Sequence, residues 1–476
     1  MPVAYAFDLL GGDIGQWWTL TKWLSALSLV WGLRAWSRGY VCREEKELAG
    51  KTYILTGGFS GVGLSVLQYL AAAGAQVVVL TPRPLSPSVI QLLLLLRSAT
   101  ENERLYAEEC DLTDVASIRK FVKGWQKDAR SGMVQDLEAR IDAVILCDEE
   151  DTAPTPGIGV RPAFIGGGGA PEEVQISAYG MTRLTGRHAL VQLLLPTLLR
   201  SAATSASPLR IINTVSPFYA TTTAATFRPE DLEFRSESPE APSKYPASQP
   251  WMAQGQIALA SILLWKEFQK RVKSTATARG VDAQPASSTS AAAASSTAEH
   301  HSDVADATPI LALSVCPGLL RSTIRSFFRA SPSSPNFSVL GCAAYLLVFP
   351  LVWIFAKSAE EGAQVVLAVL MADVYKEGQG LGRRNKEKTA RGPDGKTLAD
   401  EGGRRAPLDE DRPPLFVRPG ALYREGLEVN LPLLDAFPPA ISAQVWESQS
   451  KLVEKMLATV VKAEKDAEAA KPASAA

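Results

Sequence analysis

The chain is poor in the residues that build metal and disulfide chemistry. Of three histidines in 476 residues, His188 falls in a helical pattern, while His300 and His301 lie in a low-complexity tract. That excludes an ordinary metal site. The five cysteines, Cys42, Cys110, Cys147, Cys316 and Cys342, are scattered and odd in number, which argues for a reducing compartment and against a disulfide framework. Net charge is lacking as well: the chain carries −1 overall, with a pI near 6.4, so nothing points to nucleic acid or an acidic substrate. A cleaved signal peptide is not expected, because the basic residues Arg34, Arg38, Arg43 and Lys46 follow the first apolar run instead of preceding it.

What is present is a glycine turn in the right setting. Tyr53, Ile54 and Leu55 read as a short strand that runs into Thr56, Gly57, Ser60, Gly61, Val62 and Gly63, and an apolar-periodic helix follows over 64–73. Gly57 allows a sharp turn, Gly61 lets backbone approach a pyrophosphate, and Gly63 lets helix and strand pack closely. Three glycines alone serve turn geometry in many loops. The strand before and the helix after supply the context a dinucleotide site requires.

From 52 onward strands and helices alternate, which predicts an α/β fold: a doubly wound parallel sheet of Rossmann type. Strands are expected at 53–55, 76–80, up to Cys110 and Asp111, 143–146, 210–214 and 311–315, with prominent helices over 182–200 and 251–273. One domain over 49–457 is expected, with a segment at 1–48 before it and a charged, alanine-rich tail at 458–476. Three insertions interrupt the rhythm, at 152–173, 274–308 and 378–414. The second is mostly Ala, Ser and Thr and reads as a disordered surface loop.

Two apolar stretches stand apart. Trp17, Leu20, Leu24, Leu27 and Trp31 recur at helical spacing, but the uncharged run 23–33 is short of the roughly 20 residues a bilayer span needs. A basic end follows it, a pattern that fits a helix lying in a membrane interface, or else one packed on the domain surface. The tract 337–356 holds no charged residue. Pro350, and the return of the chain to the fold on both sides, favour a kinked hairpin or in-plane membrane segment over a simple span. A buried core helix is the alternative.

Taken together, these motifs resemble the membrane-associated, retinol-dehydrogenase-like branch of the short-chain dehydrogenase/reductase family, over about 51–457. Thr56, Gly57, Gly61 and Gly63 match its cofactor loop. The resemblance implies NADP(H): Arg83 stands where that branch binds the 2′-phosphate, and Thr81 replaces the acid that would hold a free ribose hydroxyl. Asp111 and Leu112 match the adenine contact, though Asp111 also reads as a helix cap. Pro317 and Gly318 match the turn after the sixth strand, with Ser322 or Thr323 near the nicotinamide.

Ser216 matches the catalytic serine. The family's tyrosine and lysine, spaced one helical turn apart so that phenol and ammonium share a face, are expected at Met252 and Gln256. Arg183 takes the asparagine position. Methionine has no proton to give and glutamine no charge to depress a neighbour's pKa. Asp148, Glu149, Glu150 and Asp151 stand where a neutral loop would pass the cofactor, and Tyr245 beside Lys244 offers a substitute pair. The expected function is therefore a membrane-associated, non-catalytic or nucleotide-sensing scaffold that binds NADP(H) weakly or not at all. An NADP-dependent oxidoreductase acting on a lipid-like alcohol or ketone is the alternative. Expected partners are a membrane surface, a lipid-like ligand, and a protein or second copy of the chain. The domain would face the cytosol at the endoplasmic reticulum, lipid droplet or mitochondrial outer membrane.

Overall fold

The computed structural model describes residues 14–42, 46–131, 140–148, 155–160, 164–165, 176–205, 207–223, 226–232, 234, 245–282, 309–331, 337–374, 415–429 and 439–470. In chain order the first half comprises α1 (Ile14–Ser37), β1 (Thr52–Thr56), α2 (Gly61–Ala72), β2 (Gln76–Thr81), α3 (Pro87–Thr100), β3 (Leu105–Glu109), α4 (Val115–Ser131) and β4 (Ala143–Leu146). A two-stranded hairpin, β5 (Phe164–Ile165) and β6 (Ile176–Ser177), leads into a single turn and a π-helical stretch, Met181–Thr185, continuous with α5 (Gly186–Thr204). Then follow β7 (Leu209–Thr214), α6 (Pro250–Asp282), β8 (Ile310–Cys316), α7 (Arg321–Phe327), α8 (Val339–Phe355) and α9 (Ala359–Met371). The chain continues with β9 (Asp373–Val374), β10 (Phe416–Val417), β11 (Leu422–Arg424), β12 (Leu427–Glu428) and α10 (Pro439–Ala470).

The six strands expected from apolar runs are present and form one sheet. Its spatial order is β3-β2-β1-β4-β7-β8-β11-β12, parallel throughout except for the last pair. Near-continuous burial of β1, β2, β4, β7 and β8 is what a sheet covered on both faces requires. One face packs on α4, α5, α6 and α10 through residues such as Ile118, Leu190, Ile262 and Val453. The other packs on α2, α3 and α9 through Val66, Leu93 and Val366. Strand order reverses between β1 and β4, and in folds of this type ligands bind at such a point, beyond the C-terminal strand ends.

Three boundary expectations change. The insertion placed at 274–308 starts too early: α6 continues to Asp282, and 283–308 lies outside the described residues, as do 378–414 and most of 152–173. The tail placed at 458 falls inside α10, whose Glu464 pairs with Arg119 and Lys123 of α4 at 2.9 and 3.2 Å. The segment 1–48 ends as part of the domain, since Leu48 is fully buried in the core.

The apolar tract 337–356 is not core. It is α8, a single helix with Pro350 inside it, and only Val352 is buried along its length. Helix α1 docks against it. Arg34 donates to Glu361 at 2.5 Å and lies over the Trp353 ring, and Ser37 Oγ donates to the carbonyl of Ile354. Among the described residues no helix is long and apolar enough to cross a membrane.

Candidate functional site

The glycine turn after β1 is built as the spacing requires. Gly57 and Gly61 both hold positive φ, 62° and 49°. A Cβ on Gly57 would lie 2.6 Å from the carbonyl oxygen of Asp148, and one on Gly63 would lie 2.1 Å from that of Gly57. Backbone occupies both spaces, so neither position takes a side chain. Thr56 Oγ1 donates to the carbonyl of Cys147 at 3.0 Å and ties the ends of β1 and β4 together. Ser60 caps α2 with its backbone, while its buried hydroxyl oxygen has no partner among the described residues. Val62 is buried beneath the turn. This cradle, with a hydroxyl left bare in it, fits a pyrophosphate.

Beside the turn lies an acid with two arginines. Asp148 accepts from Arg183 at 2.8 Å and from Arg187 at 2.6 Å. Arg183 sits in the π-helical stretch and its guanidinium lies 4.4 Å from the Tyr179 ring centroid. Arg187 is 1% exposed and also donates to Asn213 Oδ1 and the carbonyl of Thr214, at 2.7 and 2.8 Å. Burial pushes its guanidinium down from the ordinary value, and Asp148 opposes that shift. The negative charge that Asp148 brings to this loop is thus neutralised, because two cations share one carboxylate. Glu149, Glu150 and Asp151 lie outside the described residues. Sequence reading missed Arg187; the signal was a pair of arginines four apart, on one face, in an otherwise apolar helix.

Helix α6 carries Met252 and Gln256 in its first turns. Ser261 Oγ accepts from Asn213 Nδ2 of β7 at 2.9 Å. Gln269 bonds Ile310 and Ala312 of β8. These two contacts fix which face of the helix meets the sheet. At 100° per residue that face carries Gln254, Ala258, Ser261 and Trp265. Met252 and Gln256 lie on the opposite side, where Gln256 Nε2 donates to the carbonyl of Thr226 at 3.0 Å. The residues of the first turns that share the sheet-facing side with one-turn spacing are Gln254 and Ala258. Between the two faces, Gly255 is pressed on the 3-10 turn Pro217–Thr221: a Cβ there would lie 2.5 Å from the carbonyl of Phe218.

The remaining candidates are dispersed over several elements. Ser216 follows β7, its hydroxyl oxygen buried and without a partner among the described residues. Arg83 is exposed just past β2. Asp111 Oδ1 accepts from the backbone and hydroxyl of Thr113, at 2.8 and 2.7 Å, and so shapes the turn; the acid at the start of α4 is Asp114. Leu112 is buried in the core, with Gly186 packed on its carbonyl. Gly318 has φ 93° beside Lys357, and Pro317 touches α9 near Gly362. Ser322 and Thr323 open α7. Tyr245 is packed with Phe234 and Ala253, whereas Lys244 lies outside the described residues. Tyr219 is 2% exposed, and burial raises its pKa. No group of histidine, cysteine or acidic side chains suited to a metal occurs among the described residues.

A family model for the KR domain matches residues 51–142, which span β1 to the threshold of β4. The uncharacterized oxidoreductase pbr1 of Schizosaccharomyces pombe is 25% identical over 351 residues, covering 74% of this chain and 78% of that one. An uncharacterized oxidoreductase of Saccharomyces cerevisiae is 40% identical over 94 residues, 20% of this chain and 23% of that one. Human retinol dehydrogenase 12 is 32% identical over 135 residues, 28% of this chain and 41% of that one. The chain is thus similar, in its first half above all, to oxidoreductases that include retinol dehydrogenase 12.

Proposed function

We propose that this protein is a membrane-associated, dinucleotide-binding member of the short-chain dehydrogenase/reductase family that has lost the phenol-and-ammonium chemistry and serves as a nucleotide-sensing scaffold. The observation that carries this reading is the start of α6. Neither Met252 and Gln256, where the resemblance puts tyrosine and lysine, nor the sheet-facing pair Gln254 and Ala258 includes a phenol or an ammonium. Proton transfer by a positioned group contributes about 10² to 10⁴ in rate, and none of these side chains supplies it.

Binding is retained in this reading. Gly57, Ser60, Gly61, Val62 and Gly63 would cradle the pyrophosphate of NADP(H), Arg83 would meet the 2′-phosphate, Asp111 would lie by the adenine, and Pro317 and Gly318 would border the nicotinamide. The bound cofactor would supply hydride chemistry; Ser216 could donate a hydrogen bond to a carbonyl without delivering a proton. A second reading, an NADP-dependent oxidoreductase acting on a lipid-like alcohol or ketone, is favoured by the intact glycine turn and by the oxidoreductase names of the relatives. NADPH titration followed by nicotinamide fluorescence, with turnover measured on a panel of lipid ketones, separates the two. Binding without turnover supports the scaffold; turnover at ordinary enzyme rates overturns it.

The membrane contact rests on α1 and α8. Trp23, Leu27, Trp31 and Trp36 of α1 and Leu340, Leu347 and Leu351 of α8 are each more than half exposed. An exposed apolar surface of this extent marks an interaction site, and neither helix is long and apolar enough to cross. Both return to the domain, α1 through Arg34 and Glu361, so an in-plane seat in one leaflet on the cytosolic side satisfies them. Flotation with phospholipid vesicles tests this: a chain that stays at the bottom of the gradient rules the contact out.

A further inference from the structure

The sheet-facing stripe of α6 leaves buried polar atoms without partners. Gln254 is 1% exposed, and neither its amide oxygen nor its amide nitrogen has a partner among the described residues. Ser216 Oγ is in the same state. Buried donors and acceptors are almost always paired. An amide left bare destabilises the fold, so its retention calls for a compensating role.

The two side chains come to one level. Ser261 is bonded to Asn213. Gln254 lies two helical turns before Ser261, roughly 10 Å along the axis, and Ser216 lies three residues beyond Asn213, roughly 10 Å along the strand direction. Helix α6 crosses over between parallel strands β7 and β8, so it runs opposite to β7 and both displacements point the same way. The close approach of Gly255 to Phe218 independently presses this turn of the helix on the segment that begins at Ser216.

We propose that Gln254 and Ser216, juxtaposed over the end of β7, form a two-point site for a neutral ligand group with a carbonyl oxygen beside an N–H, as an amide has, on a ligand with an apolar tail. The glutamine side chain presents a donor and an acceptor side by side in one plane, and the complement of that arrangement is the same pair reversed. The Ser216 hydroxyl can donate to the second lone pair of the ligand carbonyl. A carboxylate is disfavoured, because Asp148 already engages Arg183 and Arg187 and a desolvated charge needs its own partner. The apolar tail has a border in the rings of Trp251, Phe327 and Phe218, whose neighbouring centroids are 6.3 and 5.3 Å apart.

The proposal rests on the reading that the site still admits ligands although its proton chemistry is gone. Its test is calorimetric titration of the full-length protein with octanamide, octanoate and 1-octanol. Octanamide is expected to bind about tenfold tighter than either analogue. In Gln254→Leu that preference disappears, while the melting temperature of the free protein rises by roughly 2–4 °C as the bare amide is removed. Ser216→Ala raises the melting temperature by less, about 1 °C, because one bare atom is removed instead of two, and weakens octanamide by roughly fivefold, which keeps the test valid should the leucine variant misfold. Equal binding of the three ligands, or a Gln254→Leu variant that folds and melts lower, overturns the proposal. NADPH is titrated in parallel. If it binds while octanamide shows no preference, only this inference fails; if NADPH does not bind, the reading beneath it fails, and the octanamide comparison still decides the amide site.

Discussion

Replacing Asp148 by asparagine keeps the shape of the side chain and removes the charge that two guanidinium groups share. Arg187 is buried and holds three partners within 2.8 Å, of which Asp148 is the only anion. Removing one member of a buried pair costs about 3–5 kcal/mol because the other is left charged and desolvated. Asp148 itself is 28% exposed on its side chain, and the asparagine oxygen still accepts a hydrogen bond, which brings the expectation down to about 2–3 kcal/mol. For a domain of this size that is a drop of roughly 3–4 °C in melting temperature. Combining Asp148→Asn with Arg187→Met removes the stranded cation as well and should recover most of the loss. Calorimetric melts of the two single variants and the double variant complete the cycle. An Asp148→Asn variant within about 0.5 kcal/mol of the parent, or a double variant that loses the sum of the singles, refutes the account of this ion triad.

Two other outcomes follow from the packing and from the helix face. His188 is buried against Trp446 with Ser450 at 3.2 Å, and burial lowers its pKa to about 4. The unfolded chain binds this proton more readily, so stability present above about pH 6.5 is lost as pH falls toward 4, by about 3 kcal/mol in all. Urea melts at pH 7 and 4.5 should show that loss in the parent and not in His188→Phe, and identical pH dependence in both would sink it. For the catalytic face, Gln254→Tyr with Ala258→Lys, made together with Arg187→Ala to clear the neighbouring cation, should give NADPH-dependent reduction of a lipid ketone. Met252→Tyr with Gln256→Lys should not; activity in that second variant alone would favour the register read from sequence.

Strands were easy to find because a sheet covered on both faces needs short apolar runs bounded by glycine and turn residues, and β1, β2, β4, β7 and β8 have them. The glycine turn was legible for a related reason: Gly57 and Gly63 occupy positions where backbone leaves no room for Cβ. The face of α6 was not legible. Residues 253–265 are buried all round, with the sheet on one side and α10 on another, and a helix covered on every side shows no polar stripe from which rotation can be read. Only Asn213 bonded to Ser261, and Gln269 bonded to β8, set its rotation. The pairing of Asp148 with Arg183 and Arg187 was hidden too, since it joins a strand end to a helix 35 and 39 residues later and leaves no local trace.

The cover that α10 lays over α6 has a consequence for biosynthesis. The buried stretch 253–265, made near the middle of the chain, waits for a partner encoded more than 150 residues later. During that interval its outer side is bare to water and to other nascent chains. Cells making this protein would need a holdase or slow translation across the intervening stretch, and a message truncated before 439 should yield aggregates in place of a smaller working domain.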